Sequence, residues 1–240
     1  MALLAAVLWL SGRFAEGSEA AAAAVGSAAS AAATVASSGL RACAPGAFCS
    51  EIVRLDADHT ARMTGVSWRP GCPVALADLR VVRATYWDMA GAARSGELVV
   101  HRDAAPAMVR VLSRLFAAGF PIASMVPIDV YGGDDDASTR ANNSSAFNCR
   151  AAYGATKGFS QHAYGRAVDL NPLQNPYVRR DGTTLDPLAQ RFVAREAVRG
   201  EPGVIDANGP VVAAFAAERW GWGGRWSSPK DYQHFSANGR

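Results

Sequence analysis

The chain has 240 residues, half of them hydrophobic, with a formal net charge of +3. That length holds one sizeable domain plus an appendage, or two small domains. Lysines and arginines are scattered without a basic block, which speaks against a nucleic-acid partner.

Residues 2–10 form a short apolar run. It has the length of a signal-peptide core and is too short to span a bilayer, although no Lys or Arg precedes it. An Ala/Ser/Gly tract follows to Ser38 and reads as a low-complexity tether. Residues 1–42 are therefore a signal-like start and tether, the route to any membrane attachment, and residues 43–240 are the folded domain. Leu40-Arg41-Ala42-Cys43 weakly matches a lipoprotein box, but Arg41 and the distance from residues 2–10 argue against one. The four cysteines, Cys43, Cys49, Cys72 and Cys149, contain no C-x-x-C pair. An even count behind an export-like start fits two disulfides, against the alternative of buried thiols in a cytosolic protein. Cys43 with Cys49 and Cys72 with Cys149 is the pairing that keeps one link local.

Pro70-Gly71-Cys72-Pro73 is a turn. Leu76–Trp87 turns β-like in its second half, and Glu97–Val100 is a strand after a turn at Ser95-Gly96. Asp103–Ala118 is the clearest helix, with Pro106 in its first turn and Gly119 after its last. Met108, Val111, Leu112, Leu115 and Phe116 make its buried stripe. Phe120–Val130 reads as extended, and Tyr131–Asp136 as a loop. Asp134, Asp135 and Asp136 lack the ligand spacing of a calcium loop and read as a solvated turn. Residues 137–157 form a long polar loop of the kind that carries function. Pro172–Pro187 is irregular, and helices are expected over Leu188–Val198 and Val211–Trp220. Trp220, Trp222 and Trp226, spaced by glycines, are core or cleft walls.

The densest chemistry lies in residues 158–171. His162 precedes Gly165, and Ala167-Val168-Asp169 alternates like a strand. A buried carboxylate at Asp169 needs a partner, and a metal shared with His162 supplies one. Near the C-terminus, Asp231 precedes His234 by three residues. Two imidazoles and a carboxylate are a three-ligand zinc set with an open fourth position. On a flat strand Asp231 and His234 face opposite sides, so a turn or bulge must separate them. Asp231 is then free to act as a base, and Arg150 is the candidate to stabilise an oxyanion. His101 reads as a satisfied structural residue and His59 as surface.

Ser160-Gln161-His162-Ala163-Tyr164-Gly165-Arg166-Ala167-Val168-Asp169 fits the pattern S-x-H-x-x-G-x-A-x-D, and Asp231-Tyr232-Gln233-His234 follows in order. The pair resembles the D-alanyl-D-alanine carboxypeptidase / L-alanyl-D-glutamate endopeptidase family of zinc peptidases. Residues 147–150 and 171–177 look like its extracellular actinobacterial branch, and the resemblance covers roughly 97–236. It implies a small α+β domain: an antiparallel sheet, helices on one side, and zinc in a cleft over the sheet. It implies His162, Asp169 and His234 as ligands of Zn2+ and Asp231 as catalytic base. It further implies Arg150 as the transition-state arginine, with Arg140 its rival, and Ser160 as a residue orienting a ligand. Tyr164, Trp222 and Trp226 are expected to line the substrate cleft. The implied substrates are peptidoglycan stem peptides, cut outside the cell by a monomer. The competing reading is a catalytically silent, zinc-stabilised module that binds cell wall or a protein.

Overall fold

The computed structural model describes Leu40, Cys43, Ala44 and residues 46–152 and 158–240. The signal-like run, most of the tether and residues 153–157 of the polar loop lie outside the described residues. The fold is α+β, built from small antiparallel sheets and few helices.

A three-stranded antiparallel sheet comes first: β1 (Ser50–Arg54), β2 (Leu79–Trp87) and β3 (Ala93–His101), in the order β1-β2-β3. Between β1 and β2 lies the short helix α1 (Ala57–Met63), capped by the Asp56 side chain, which accepts from the His59 amide. Period-two alternation sends the two faces of the sheet to different places. Val82, Ala84, Leu98 and Val100 join the main core, whereas Leu79, Val81 and Val99 meet Phe147, Cys149 and Ala163. The first face is covered by α2 (Ala105–Ala117), whose Met108, Val111, Leu112 and Leu115 are buried as the sequence stripe requires. α4 (Pro210–Ala217) packs on α2 and on the strand Gly221–Trp222 within the same core, and its Phe215 stacks on Phe235 with ring centroids 3.9 Å apart. A helix thus covers one face and a segment next to His162 covers the other.

Seven short strands follow among the described residues: β4 (Ser124–Met125), β5 (Asn143–Ser144), β6 (Ala167–Asp169), β7 (Tyr177–Val178), β8 (Gly221–Trp222), β9 (Lys230–Asp231) and β10 (His234–Ser236). β6, β10 and β8 form a second antiparallel sheet in that order, and β7 pairs with β9. Two disulfides join Cys43 to Cys49 and Cys72 to Cys149, the pairing that keeps one link local. The second closes 77 residues and fastens the residue beside Arg150 to the Pro70–Pro73 turn. A loop of that size restricts the unfolded chain by about 4 kcal/mol in the chain-entropy picture.

Several expectations are corrected. Gly96 is not in a turn but inside β3, where an added Cβ would lie 2.4 Å from the Met125 carbonyl oxygen. Asp134 and Asp136 are exposed as expected, but they begin a helix rather than sit in a turn. Asp134 caps α3 (Asp135–Arg140), accepting from the amides of Asp136 and Ala137, and the acids that follow suit the positive end of a helix. Only Ser124–Met125 of the Phe120–Val130 stretch is strand, and Ile128–Tyr131 is a 3-10 turn. The helix expected over Leu188–Val198 is a 3-10 segment, Pro187–Val193. His59 is buried rather than at the surface. Its Nδ1 meets Asp56 at 2.6 Å and its Nε2 meets Glu97 at 3.2 Å, while Glu97 also binds Arg83 at 2.7 Å. No helix among the described residues is long and apolar enough to cross a membrane.

Gly165 joins the sheet to the site. It has φ +63°, its carbonyl accepts from the His101 amide at 2.9 Å, and a Cβ there would sit 2.5 Å from that amide nitrogen. Gly91 also has positive φ, +78°, but nothing within 4 Å of an added Cβ. Gly91→Ala should therefore cost only the left-handed backbone penalty, about 1 kcal/mol. Gly165→Ala should cost clearly more, read as a larger drop in the urea midpoint at unchanged slope.

Candidate metal centre and active-site cleft

His162 lies in the 3-10 turn Gln161–Tyr164. The Ser160 hydroxyl caps that turn, accepting the His162 amide at 3.3 Å, and the left-handed Gly165 ends it. Asp169 ends β6 and His234 begins β10, and the antiparallel register makes them direct partners. Direct partners project from the same face with Cβ atoms about 5 Å apart. His162 is brought to that face by the Gly165 turn.

The three side chains converge. His162 Nε2 is 3.2 Å from Asp169 Oδ2, His234 Nδ1 is 3.0 Å from Asp169 Oδ1, and the two imidazole nitrogens are 3.2 Å apart. The outer nitrogens are occupied by backbone carbonyls. His162 Nδ1 donates to Ala146 O at 2.5 Å, and His234 Nε2 donates to Arg240 O at 3.3 Å. With the outer nitrogens protonated, the inner ones present lone pairs to each other and to a carboxylate. Such a cluster is stable only around a positive charge. Metal bonds of about 2.0 Å in a tetrahedron place ligand atoms about 3.3 Å apart. The observed separations of 3.0–3.2 Å fit that set. His162, Asp169 and His234 are thus a group able to hold a metal ion. Burial raises the Asp169 carboxyl, but His162 and then His234 outweigh it and hold it well below the usual carboxylate range.

Asp231 stands beside the triad on β9, opposite Tyr177 of β7. A bend at Tyr232-Gln233 separates it from β10 and lets both Asp231 and His234 face one cleft, the turn the spacing required. Gly223 makes room: a Cβ there would be 2.6 Å from the Asp231 carbonyl oxygen and 3.3 Å from the His234 Cβ. Asp231 Oδ1 is buried without a hydrogen-bond partner among the described residues. Burial, and next the charge of Asp169, push its carboxyl up to about 7. A cation on the triad opposes both effects and lowers it again.

Arg150 lines the same cleft, and its Nε pairs with Asp135, whose other oxygen accepts from Asn148 at 2.9 Å. Arg140 is exposed at the end of α3 and does not line the cleft. Trp226 lines it, with its ring centroid 5.4 Å from that of His234 and its indole N–H donated to Gly239 O at 2.8 Å. Trp222 does not: it is buried beside Phe235 and donates to Tyr232 O at 2.8 Å, bracing the bend from the core side. Nor does Tyr164, which meets Phe159 edge-on at 6.5 Å, and it is Phe159 that reaches the cleft. The carbonyls of Ala146 and Arg240 carry no sequence signal, because any residue type supplies a carbonyl. Gly223 does carry one, in the glycine run before the second motif.

A His/Asp/His set that could hold a metal, beside a carboxyl with one unpartnered oxygen in an open cleft, has the groups that metal-assisted hydrolysis requires. Residues 154–237 match the family model described as D-alanyl-D-alanine carboxypeptidase, so the resemblance read from the two motifs is borne out over this segment. The match contains His162, Asp169, Asp231 and His234, whereas Arg150 and Asp135 precede it. No curated protein and no solved structure matches the chain.

Asp169→Asn removes the charge that balances the cation and supplies a donor in place of an acceptor. It is expected to weaken zinc binding by at least about 100-fold, measured by competition with a chromophoric chelator.

Proposed function

We propose that this chain is an exported zinc peptidase that hydrolyses peptide bonds involving D-amino acids in peptidoglycan stem peptides. It would act as a D,D-carboxypeptidase or an L-Ala-D-Glu-type endopeptidase. The observation that carries the proposal is the buried Asp231 Oδ1, without a hydrogen-bond partner among the described residues, beside the His162/Asp169/His234 triad and within the segment matched by the peptidase family. In this reading residues 43–240 form the catalytic domain and work as a monomer in the cell wall. The two disulfides suit that oxidising compartment.

His162, Asp169 and His234 would hold the zinc, with Ser160 fixing the turn that presents His162. When bound, zinc supplies Lewis acidity and brings a water's pKa near neutrality. Asp231 takes the proton of the attacking water and passes it to the leaving amine. Its Oδ1, which has no hydrogen-bond partner among the described residues, is an acceptor available for that water. Arg150 faces the scissile carbonyl and stabilises its oxygen as negative charge develops. Asp135 occupies Nε of that guanidinium, which orients the remaining N–H groups. Trp226 and Phe159 supply apolar walls to the cleft.

Asp231→Asn should keep zinc stoichiometry and lose about 10²–10⁴-fold in kcat on stem peptides, read by mass spectrometry of the released amino acid or peptide. Zinc retained with no cleavage by the unmutated protein would favour the silent binding module instead. The base must be ionised, so kcat/KM rises with pH through its pKa. The cation draws that value down from about 7, so the acid limb is expected below pH 7 and should vanish in the Asp231→Asn residual activity.

Arg150→Ala should lower kcat by about 100-fold or more, and Arg140→Ala should leave it within about twofold. The comparison is made on one substrate at saturation.

A further inference from the structure

Arg195 stands just after the 3-10 segment Pro187–Val193, half-buried and outside the cleft lining. A guanidinium shielded from water calls for a carboxylate partner, yet Arg195 forms no ion pair among the described residues. Its N–H groups go instead to uncharged oxygens. Nη1 donates to Gln174 O at 2.6 Å and to Phe192 O at 3.1 Å. Nη2 donates to Ile205 O at 2.8 Å and to Asn175 Oδ1 at 2.9 Å. The guanidinium carbon lies over the Tyr232 ring, 4.5 Å from its centroid. Four oxygens and a π face stand in for the missing anion.

Each of these partners leads to the site. Tyr232 belongs to the bend between Asp231 and His234. Its amide donates to Pro176 O at 3.2 Å, and its carbonyl accepts the Trp222 indole N–H at 2.8 Å. Gln233 O, next in the bend, accepts from the Leu170 amide at 3.1 Å, directly after Asp169. Asn175 closes the circuit. Its Nδ2 donates to Leu170 O and Asn171 O, each at 3.2 Å, and to Gly203 O at 2.8 Å. Asn175 is completely buried, so water does not compete for those bonds. One arginine thus gathers the loop after Asp169 and the turn around Ile205, and it rests on the residue between Asp231 and the second imidazole. Tyr232, like Arg195, does not line the cleft, so the pair reaches the chemistry through the backbone of the bend.

We propose that Arg195 is a positioning residue for Asp231. It clamps the Tyr232 ring, and through it fixes the bend that sets Asp231 Oδ1 beside the triad. The kinetic consequence rests on the peptidase reading above, whereas the clamp itself rests on the contacts of Arg195. A displacement of about 1 Å at the base slows the proton transfer, while substrate affinity is made along the rest of the cleft.

Arg195→Met, Tyr232→Leu and the double variant are compared in the full, zinc-loaded chain on one stem pentapeptide. Each single change should lower kcat by about tenfold and move KM by less than about twofold. The double variant should fall no further than the worse single one, because both changes remove the same contact. In the Asp231→Asn protein, Arg195→Met should alter the residual rate by less than about twofold, whereas a general loss of folded structure would lower it there as well. Multiplied losses in the double variant, an unchanged kcat in either single one, or equal losses with and without the Asp231 carboxylate overturn the proposal. Tyr232→Leu leaves the hydrogen bonds of Arg195 in place, and it decides the question in both backgrounds if Arg195→Met does not fold.

Hydrogen exchange of the Leu170 and Tyr232 amides separates the clamp from the peptidase reading. Both should exchange about tenfold faster in each single variant, with the amides of β2 unchanged. If the unmutated protein cleaves nothing but this local acceleration is seen, the clamp stands and the peptidase reading falls. Equal acceleration in β2, or none at Leu170 and Tyr232, overturns the clamp whether or not cleavage occurs.

Discussion

Everything at the site depends on one antiparallel register pair, Asp169 opposite His234. That pairing puts a carboxylate and an imidazole on one face at contact distance, and the Gly165 turn delivers His162 to the same point. The result is electrostatically unfinished: two lone pairs and a carboxylate meet in a buried space. A slip of one residue in β10 would turn His234 into the core and Phe235 into the cleft, since strand side chains alternate. Phe235 prevents this, because it is fully buried and stacked between Phe215 and Trp222. The hydrophobic core thus sets the register, and the register sets the ligand geometry.

The first sheet acts as a foundation buried on both faces. One face holds the helices, and the other holds Phe147, Cys149 and Ala163, the immediate neighbours of the site residues. Ala163 adjoins His162, and Cys149 adjoins Arg150. Burying these anchors leaves the ligand and the arginine little freedom, which lowers the reorganisation a reaction would require. Glycine appears where backbones must touch. At Gly165 a strand end meets the ligand turn, and at Gly223 the 3-10 turn meets the segment of Asp231 and His234.

Charges of both signs line the cleft: Asp135 and Asp136 near Arg150, Asp169 and Asp231 at the triad, and Arg179 and Arg225 elsewhere along it. At Asp231, burial and Asp169 favour the neutral form, while a bound cation would favour the ionised one. Competing influences of this size hold a carboxyl near the range where it can both accept and release a proton.

The motifs around His162 and Asp231 were legible in the sequence because their chemistry depends on residue type and spacing. A histidine three residues before a glycine, an alternating run ending in aspartate, and an acid three residues before a histidine define what the atoms can do. The main helix was legible for a similar reason, since its apolar stripe repeats at the helical period. Tertiary structure decided the rest. Trp222 and Trp226 share a glycine-rich context, yet only Trp226 faces the cleft, because β8 turns the other ring into the core. Arg150 and Arg140 are equivalent upstream arginines in sequence, and the anchoring of Cys149 brings only Arg150 to the site. His59 reads as a surface residue in a polar stretch, but α1 carries it against Glu97. The carbonyls of Ala146 and Arg240, which hold the outer imidazole nitrogens, are backbone that every residue possesses. Side-chain identity is written in the sequence, whereas direction and backbone proximity are set by packing between segments far apart in the chain.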